Sequence, residues 1–191
     1  MATKRDITTA LVDEHRLILR MLTILERNAS LTGEGAYTDY RFYLDAVDFI
    51  RNYADRFHHA KEEDVLFEAL VANGMPRQNS PVAAMLLEHD QGRAFVRAME
   101  EAAQAALRGE PGQDGIIAAN ALGYLELLRE HIAKEDEILY PLAERLIPDT
   151  VRDGIIAAYG AAEARTSGDF AARWYEELVA RCEGEVVDRA A

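Results

Sequence analysis

The sequence predicts an all-α protein, an antiparallel up-down four-helix bundle with a C-terminal helical extension. Three observations carry that expectation. Ala, Leu, Glu and Arg dominate the composition, which favours helix over strand. Turn-forming patches at Ser30–Ala36, Asn73–Ser80, Gly109–Gly115, Ile147–Gly154 and Arg165–Asp169 leave helix-length segments between them. Within those segments apolar residues recur at helical spacing.

The first segment, near 6–29, places Leu11, His15, Ile18, Leu22 and Leu25 on one face. The second, near 37–72, aligns Val47, Ile50, Ala54, His58, Val65 and Ala69, and ends at Asn73-Gly74 with Pro76 behind it. The third, near 81–108, opens with Ser80 as N-cap and Pro81 at the first helical position. Its stripe runs Val82, Met85, His89, Gly92, Val96, Met99, Ala103. The fourth, near 115–146, is capped by Asp114, aligns Tyr124, Leu128, His131, Ile138 and Leu142, and should kink at Pro141, which lacks a backbone donor. Four amphipathic helices with short connections pack as a bundle. Two shorter helices near 150–163 and 169–183 follow. The second carries Phe170, Trp174, Tyr175, Leu178 and Cys182 at helical spacing. Residues 1–146 are therefore expected to form the bundle, and 147–191 an extension packed either on it or on a partner subunit, the second arrangement giving a homodimer.

A net charge of −13 repels phosphate backbones, so nucleic acid is a poor partner. No run is long enough to span a bilayer. Met1–Asp6 is not followed by an apolar stretch of the signal-peptide kind, so a cytoplasmic protein is expected. The single Cys182 can form neither an internal disulfide nor a thiolate cluster, and reads as a small packed hydrophobe.

The histidines are the unusual feature. His15, His58, His89 and His131 fall one per long helix, each on the apolar face. His59 has Asn52, Asp55, Arg56 and Glu63 at helical spacing and is expected to face solvent. Glu62 and Glu135 lie one turn after His58 and His131, on the same faces. A lone inward histidine is most often a satisfied core residue. Two inward carboxylates beside four inward imidazoles need a counter-charge, because desolvating an unpaired carboxylate costs several kcal/mol. A pair of metal cations supplies it; salt bridges to bundle arginines such as Arg51 are the alternative.

The chain also repeats itself. His58-His-Ala-Lys-Glu62-Glu-Asp-Val-Leu-Phe67 aligns with His131-Ile-Ala-Lys-Glu135-Asp-Glu-Ile-Leu-Tyr140 at an offset of 73 residues, and Glu14-His15 with Glu88-His89 at 74. A pseudo-two-fold arrangement of the halves gathers four imidazoles and two carboxylates. That donor set suits iron, and the absence of Cys ligands argues against structural zinc. Two iron ions, each with two histidines, sharing Glu62 and Glu135 and an oxo or hydroxo bridge, would retain open positions.

The order His15, His58–Glu62, His89, His131–Glu135 resembles the hemerythrin-like, HHE cation-binding family over about residues 6–146. Oxygen-carrying members have a fifth histidine one turn after the third-helix ligand, where Arg93 stands here. They also use an aspartate five residues after the last histidine. Asp136 has that spacing, but the repeat favours Glu135. The pattern is also similar to the di-iron domain of iron–sulfur cluster repair proteins, without their cysteine-containing N-terminal domain, and to bacterial proteins handling peroxide or nitric oxide. The resemblance implies a protein acting on small oxidants, foremost a catalase-like disproportionation of hydrogen peroxide. A binding protein or sensor for dioxygen, nitric oxide or iron is the second expectation, and a metal-free interaction bundle the third.

Among flanking residues, Glu14, Glu63 and Glu88 are expected on solvated helix faces rather than orienting imidazoles. Tyr124 reads as a core tyrosine with its hydroxyl satisfied. Gly92 leaves space beside His89 or permits close helix packing.

Overall fold

The computed structural model describes residues 5–166 and 168–188, and it is helical with no strand among them. Helix α1 is Thr9–Gly33. Helix α2 covers 40–72 and changes pitch along its length. It is α-helical at Tyr40–Phe49, a π-helix at Ile50–His59 and again at Glu62–Leu66, and α-helical at Phe67–Ala72. Helix α3 is Pro81–Leu107. Helix α4 covers 113–146, with a π-helical turn at Glu135–Leu139 between Gln113–Lys134 and Tyr140–Leu146. Helices α5, Asp149–Ala164, and α6, Gly168–Asp188, complete the chain. No helix among the described residues is long and apolar enough to cross a membrane. The leader expectation at Met1–Lys4 and the side chain of Phe170 lie outside the described residues.

Local chemistry accounts for most boundaries. Ser80 Oγ accepts from the Ala83 amide at 3.3 Å, ahead of Pro81. Asn73 closes α2, and Gly74 follows at φ 103°, where a Cβ would be strained. Two expected ends move. The first helix runs on through Ser30 to Gly33, because buried Thr32 bonds both the Tyr37 carbonyl (3.1 Å) and the Tyr43 hydroxyl (2.6 Å). Asp114 is not the cap of α4; Gly112 is, and Asp114 accepts instead from the Tyr40 hydroxyl at 2.7 Å.

The first four helices form a ring of neighbours, α1 against α4, α4 against α3, α3 against α2 and α2 against α1. Helix α6 lies on α1 and α2, and α5 meets α2 at its second π-turn. Two apolar clusters result. One holds Leu17, Leu22, Tyr43, Ala54, Val96 and Leu128; the other holds Leu11, Phe67, Leu70, Met85, Leu139 and Ala143. On every bundle helix the chain passes from one cluster to the other through a buried histidine: His15, His58, His89 and His131. The polar residues thus form a layer inside the bundle, sealed by hydrocarbon on both sides.

The π-turns set the register across that layer. They recur at Glu62–Leu66 and Glu135–Leu139, the same place in each repeat, and only the second has a proline beside it. Pro141 is therefore not their cause. A π-helix closes its hydrogen bonds one residue later than an α-helix. The buried face accordingly steps forward by one, to Leu66 and Leu70 rather than Val65 and Ala69, and to Leu139 and Ala143 rather than Ile138 and Leu142. Ile138 is left 56% exposed, against the inward placement its α-helical spacing predicts.

Candidate metal centre

Helices α1 and α2 bring His15 Nε2 and His58 Nε2 to 3.0 Å from one another, and α3 and α4 bring His89 Nε2 and His131 Nε2 to the same separation. Glu62 and Glu135 stand between the pairs. Glu62 Oε2 is 3.7 Å from His58 Nε2 and 3.6 Å from His89 Nε2. Glu135 is 3.4 Å from His15 Nε2 and 3.1 Å from His131 Nε2. Each carboxylate therefore touches one imidazole of each pair. All six expected residues come together and are buried.

The alternative of salt bridges to bundle arginines is not what the structure shows. Arg51 pairs with Glu100, at 2.8 and 2.5 Å, and reaches neither buried glutamate. Glu62 Oε2 and both oxygens of Glu135 lack any hydrogen-bond partner. Buried carboxylate oxygens without donors are costly, and these face imidazole nitrogens rather than arginine or lysine. Two nitrogens each about 2.1 Å from an ion at right angles would stand about 3.0 Å apart, the separation found in both pairs. The donors fit metal. They form two groups sharing Glu62, one of His15, His58, Glu62 and Glu135, the other of His59, Glu62, His89 and His131, each with its donor atoms within 4.8 Å.

A surrounding set of carboxylates holds the rings. His15 Nδ1 donates to Asp136 at 2.9 Å, His58 Nδ1 to Glu14 at 2.8 Å, His89 Nδ1 to Glu63 at 2.7 Å and His131 Nδ1 to Glu88 at 2.9 Å. This corrects the expectation that Glu14, Glu63 and Glu88 lie on solvated faces. The arrangement fixes each tautomer and turns each Nε2 inward. Lys61 and Lys134, paired residues of the repeat, bind Glu14 and Glu88 in turn. Asp136 is the repeat partner of Glu63, so it serves as a ring holder and Glu135 faces the centre.

Electrostatics in the polar layer reflect crowding. Burial and the charge of Glu135 push the Glu62 carboxyl well above its usual range. Burial would do the same to Glu135, but the adjacent His131 and His15 imidazoles hold it well below. Burial opposes protonation of His15, yet its bond to Asp136 and the nearby Glu135 carboxylate raise it to about 9. Burial, with the charges of His15 and His59 beside it, keeps His58 far down.

Three residues differ from expectation. His59 is buried, not solvent-facing; its ring stacks on His89 with centroids 3.8 Å apart. Tyr124 is buried with its hydroxyl unpartnered, where a satisfied hydroxyl is expected. Tyr140, unremarked in the sequence, donates its hydroxyl to Glu62 Oε1 at 2.6 Å and lies 3.4 Å from His15 Nε2. Its one sequence signal is that the repeat places Phe67 opposite it. A cavity of about 140 Å³ opens on the other side, lined by His59, His89, Gly92, Arg93, Tyr124 and His131 among others.

Fold and site together define a four-helix-bundle protein whose buried histidine and glutamate clusters could hold metal. The hemerythrin HHE cation binding domain matches residues 6–143, and the chain belongs to that family. No curated protein and no solved structure matches it.

Proposed function

We propose that the centre holds two iron ions and that the protein disproportionates hydrogen peroxide, two molecules giving two of water and one of dioxygen. The observation that carries this is the convergence of four imidazole Nε2 atoms on carboxylate oxygens that no donor satisfies. His15 and His58 would hold one ion, His89 and His131 the other, and Glu62 and Glu135 would span both. When bound, the pair supplies electron storage and Lewis acidity.

The chain's own contribution is shape, dryness and proton placement. The apolar clusters exclude bulk water from both sides of the layer. A cavity near 140 Å³, about the size that takes benzene, has room for peroxide and diatomic gases. Tyr140 keeps a hydroxyl proton against Glu62 Oε1, beside the centre. We read residues 1–146 as the metal-holding unit and 147–191 as an extension bracing it.

One observation favours the second reading, a binding protein or sensor for dioxygen, nitric oxide or iron. Each of the four imidazoles has a carboxylate on Nδ1 and would be occupied at Nε2 by metal, so none of the four is left to move protons. A single preparation separates the readings. Iron-loaded protein should carry about two irons per chain and evolve dioxygen from peroxide far above a Glu62→Ala control. Two irons with no evolution above that control, but a spectral change on adding dioxygen or nitric oxide to the reduced protein, would replace catalysis with binding. No bound metal would refute both.

A further inference from the structure

We propose that the cavity between α2, α3 and α4 is the docking site from which a small neutral molecule, hydrogen peroxide foremost, reaches the centre. The Tyr124 hydroxyl is its hydrogen-bond partner, and Gly92 is the residue that makes the room. The assignment rests on the two-iron reading above.

The cavity joins the surface to the buried layer. Its lining runs from exposed Arg97, and from Arg51 and Arg93 with more than a third of each side chain exposed, to His89 and His131, both buried.

Tyr124 lines the same cavity, is 3% exposed, and has a hydroxyl that no group bonds. A phenylalanine would pack here without the cost of a bare buried hydroxyl. The arginines do not satisfy it. Arg51 is bound to Glu100, and Arg93 donates to Asp55 at 2.7 Å and to Glu63 at 2.6 Å. A tyrosine retained for packing accounts for the ring and leaves the hydroxyl unexplained. A guest in the cavity explains it.

The repeat shows where the space comes from. Three residues after His89 stands Gly92; three residues after His15, at the same offset of 74, stands Ile18, a buried side chain. A Cβ on Gly92 would stand 3.4 Å from Tyr124 Cε2, the ring carbon next to the one that carries the hydroxyl. One half of the repeat thus fills with hydrocarbon a place that the other leaves empty beside a polar group.

The guest's chemistry follows from the same residues. Arg51 and Arg93 are neutralised by carboxylates, and a net charge of −13 opposes the approach of anions. A neutral molecule that exchanges hydrogen bonds with a phenol fits, and peroxide has both donors and acceptors.

Iron-loaded, reduced protein mixed rapidly with nitric oxide and, separately, with hydrogen peroxide tests the assignment by absorbance. The first reaction reads access alone. The second takes two ferrous ions to ferric and one peroxide to two hydroxide ions, and needs no turnover. Gly92→Val fills the cavity and should slow nitric oxide association severalfold with iron content unchanged. Val96→Ile, a milder change on the same wall, should slow it in the same direction. Tyr124→Phe keeps the ring. It should raise the peroxide concentration for half-maximal oxidation rate roughly 2- to 10-fold, the worth of one hydrogen bond, and leave nitric oxide association as in wild type. Ile18→Val, at the matching place beside His15, should change neither. If both wall variants take up nitric oxide at the wild-type rate, or Tyr124→Phe responds to peroxide as wild type does, the assignment falls while the two-iron reading stands. If the variants behave as expected in protein that evolves no dioxygen, catalysis falls and the docking site stands. If wild-type protein binds no iron, both fall.

Discussion

Lys61 Nζ, fully buried, donates to Glu163 across 2.8 Å and so fastens α5 to the helix that carries His58 and Glu62. The same ammonium binds Glu14, the residue holding His58 Nδ1, and sits 3.9 Å above the Phe57 ring. One cation therefore links the extension, a ring holder and the apolar core.

Removing that cation leaves Glu14 buried beside His58 without its counter-charge. Lys61→Ala should cost about 3–5 kcal/mol, the usual penalty for breaking a buried pair from one side. Glu163→Gln, at the half-exposed end, should cost about 1 kcal/mol or less. Urea unfolding midpoints of the two variants check this; equal midpoints would show that Lys61 is bound no more tightly than a surface lysine.

Arg152 secures the other end of the extension. Its guanidinium is buried and donates to the Arg5, Glu144 and Ile147 carbonyls at 2.7–2.9 Å, and it pairs with the Glu144 carboxylate. Glu144 also accepts from the Ile7 amide at 2.8 Å. Arg152→Ala should destabilise by about 3–5 kcal/mol. It should also speed proteolysis ahead of α1. An unchanged cleavage rate there would separate Arg152 from the N-terminal segment.

Two glycines on facing helices should respond oppositely to alanine. A Cβ on Gly123 would stand 2.7 Å from Phe95 Cε1, so Gly123→Ala should cost about 1–3 kcal/mol through overpacking. A Cβ on Gly92 would meet Tyr124 at 3.4 Å, ordinary contact, so Gly92→Ala should stabilise by about 0.5–1 kcal/mol. Thermal melts of the metal-free proteins decide it; destabilisation of similar size in both would contradict this geometry.

Burial pushes the Cys182 thiol from 9.0 up to about 11. At pH 8 the thiolate should be roughly 100-fold scarcer than in an ordinary cysteine, and alkylation correspondingly slow. A group raised on folding favours the folded state while protonated. Its contribution is whole below about 9 and is lost as pH climbs to about 11. Alkylation of native protein as fast as of a short cysteine peptide at pH 8 would place the thiol at the surface instead.

The amphipathic stripe of α3 was legible in full: Val82, Met85, His89, Gly92, Val96, Met99 and Ala103 are all buried. The gathering of His15, His58, His89 and His131 with Glu62 and Glu135 was legible from the His-x-x-x-Glu spacing and the repeat at fixed offset, which carry that information locally. The ring holders were not legible. Glu14, Glu63 and Glu88 sit on polar positions of their own helices, and each finds its histidine 26 to 44 residues away.

By itself the sequence determined four amphipathic helices, their pairing by an internal repeat, and the donors each half contributes, since periodicity and spacing are properties of a single chain segment. Only the tertiary structure decided the register beyond each ligand and the place of His59. Those depend on π-turns at Ile50–His59, Glu62–Leu66 and Glu135–Leu139, where the backbone shifts its hydrogen bonds by one residue. The local spacing of the side chains does not announce that shift; it becomes visible only where the packed bundle buries Leu66 and Leu139 and leaves Ile138 outside.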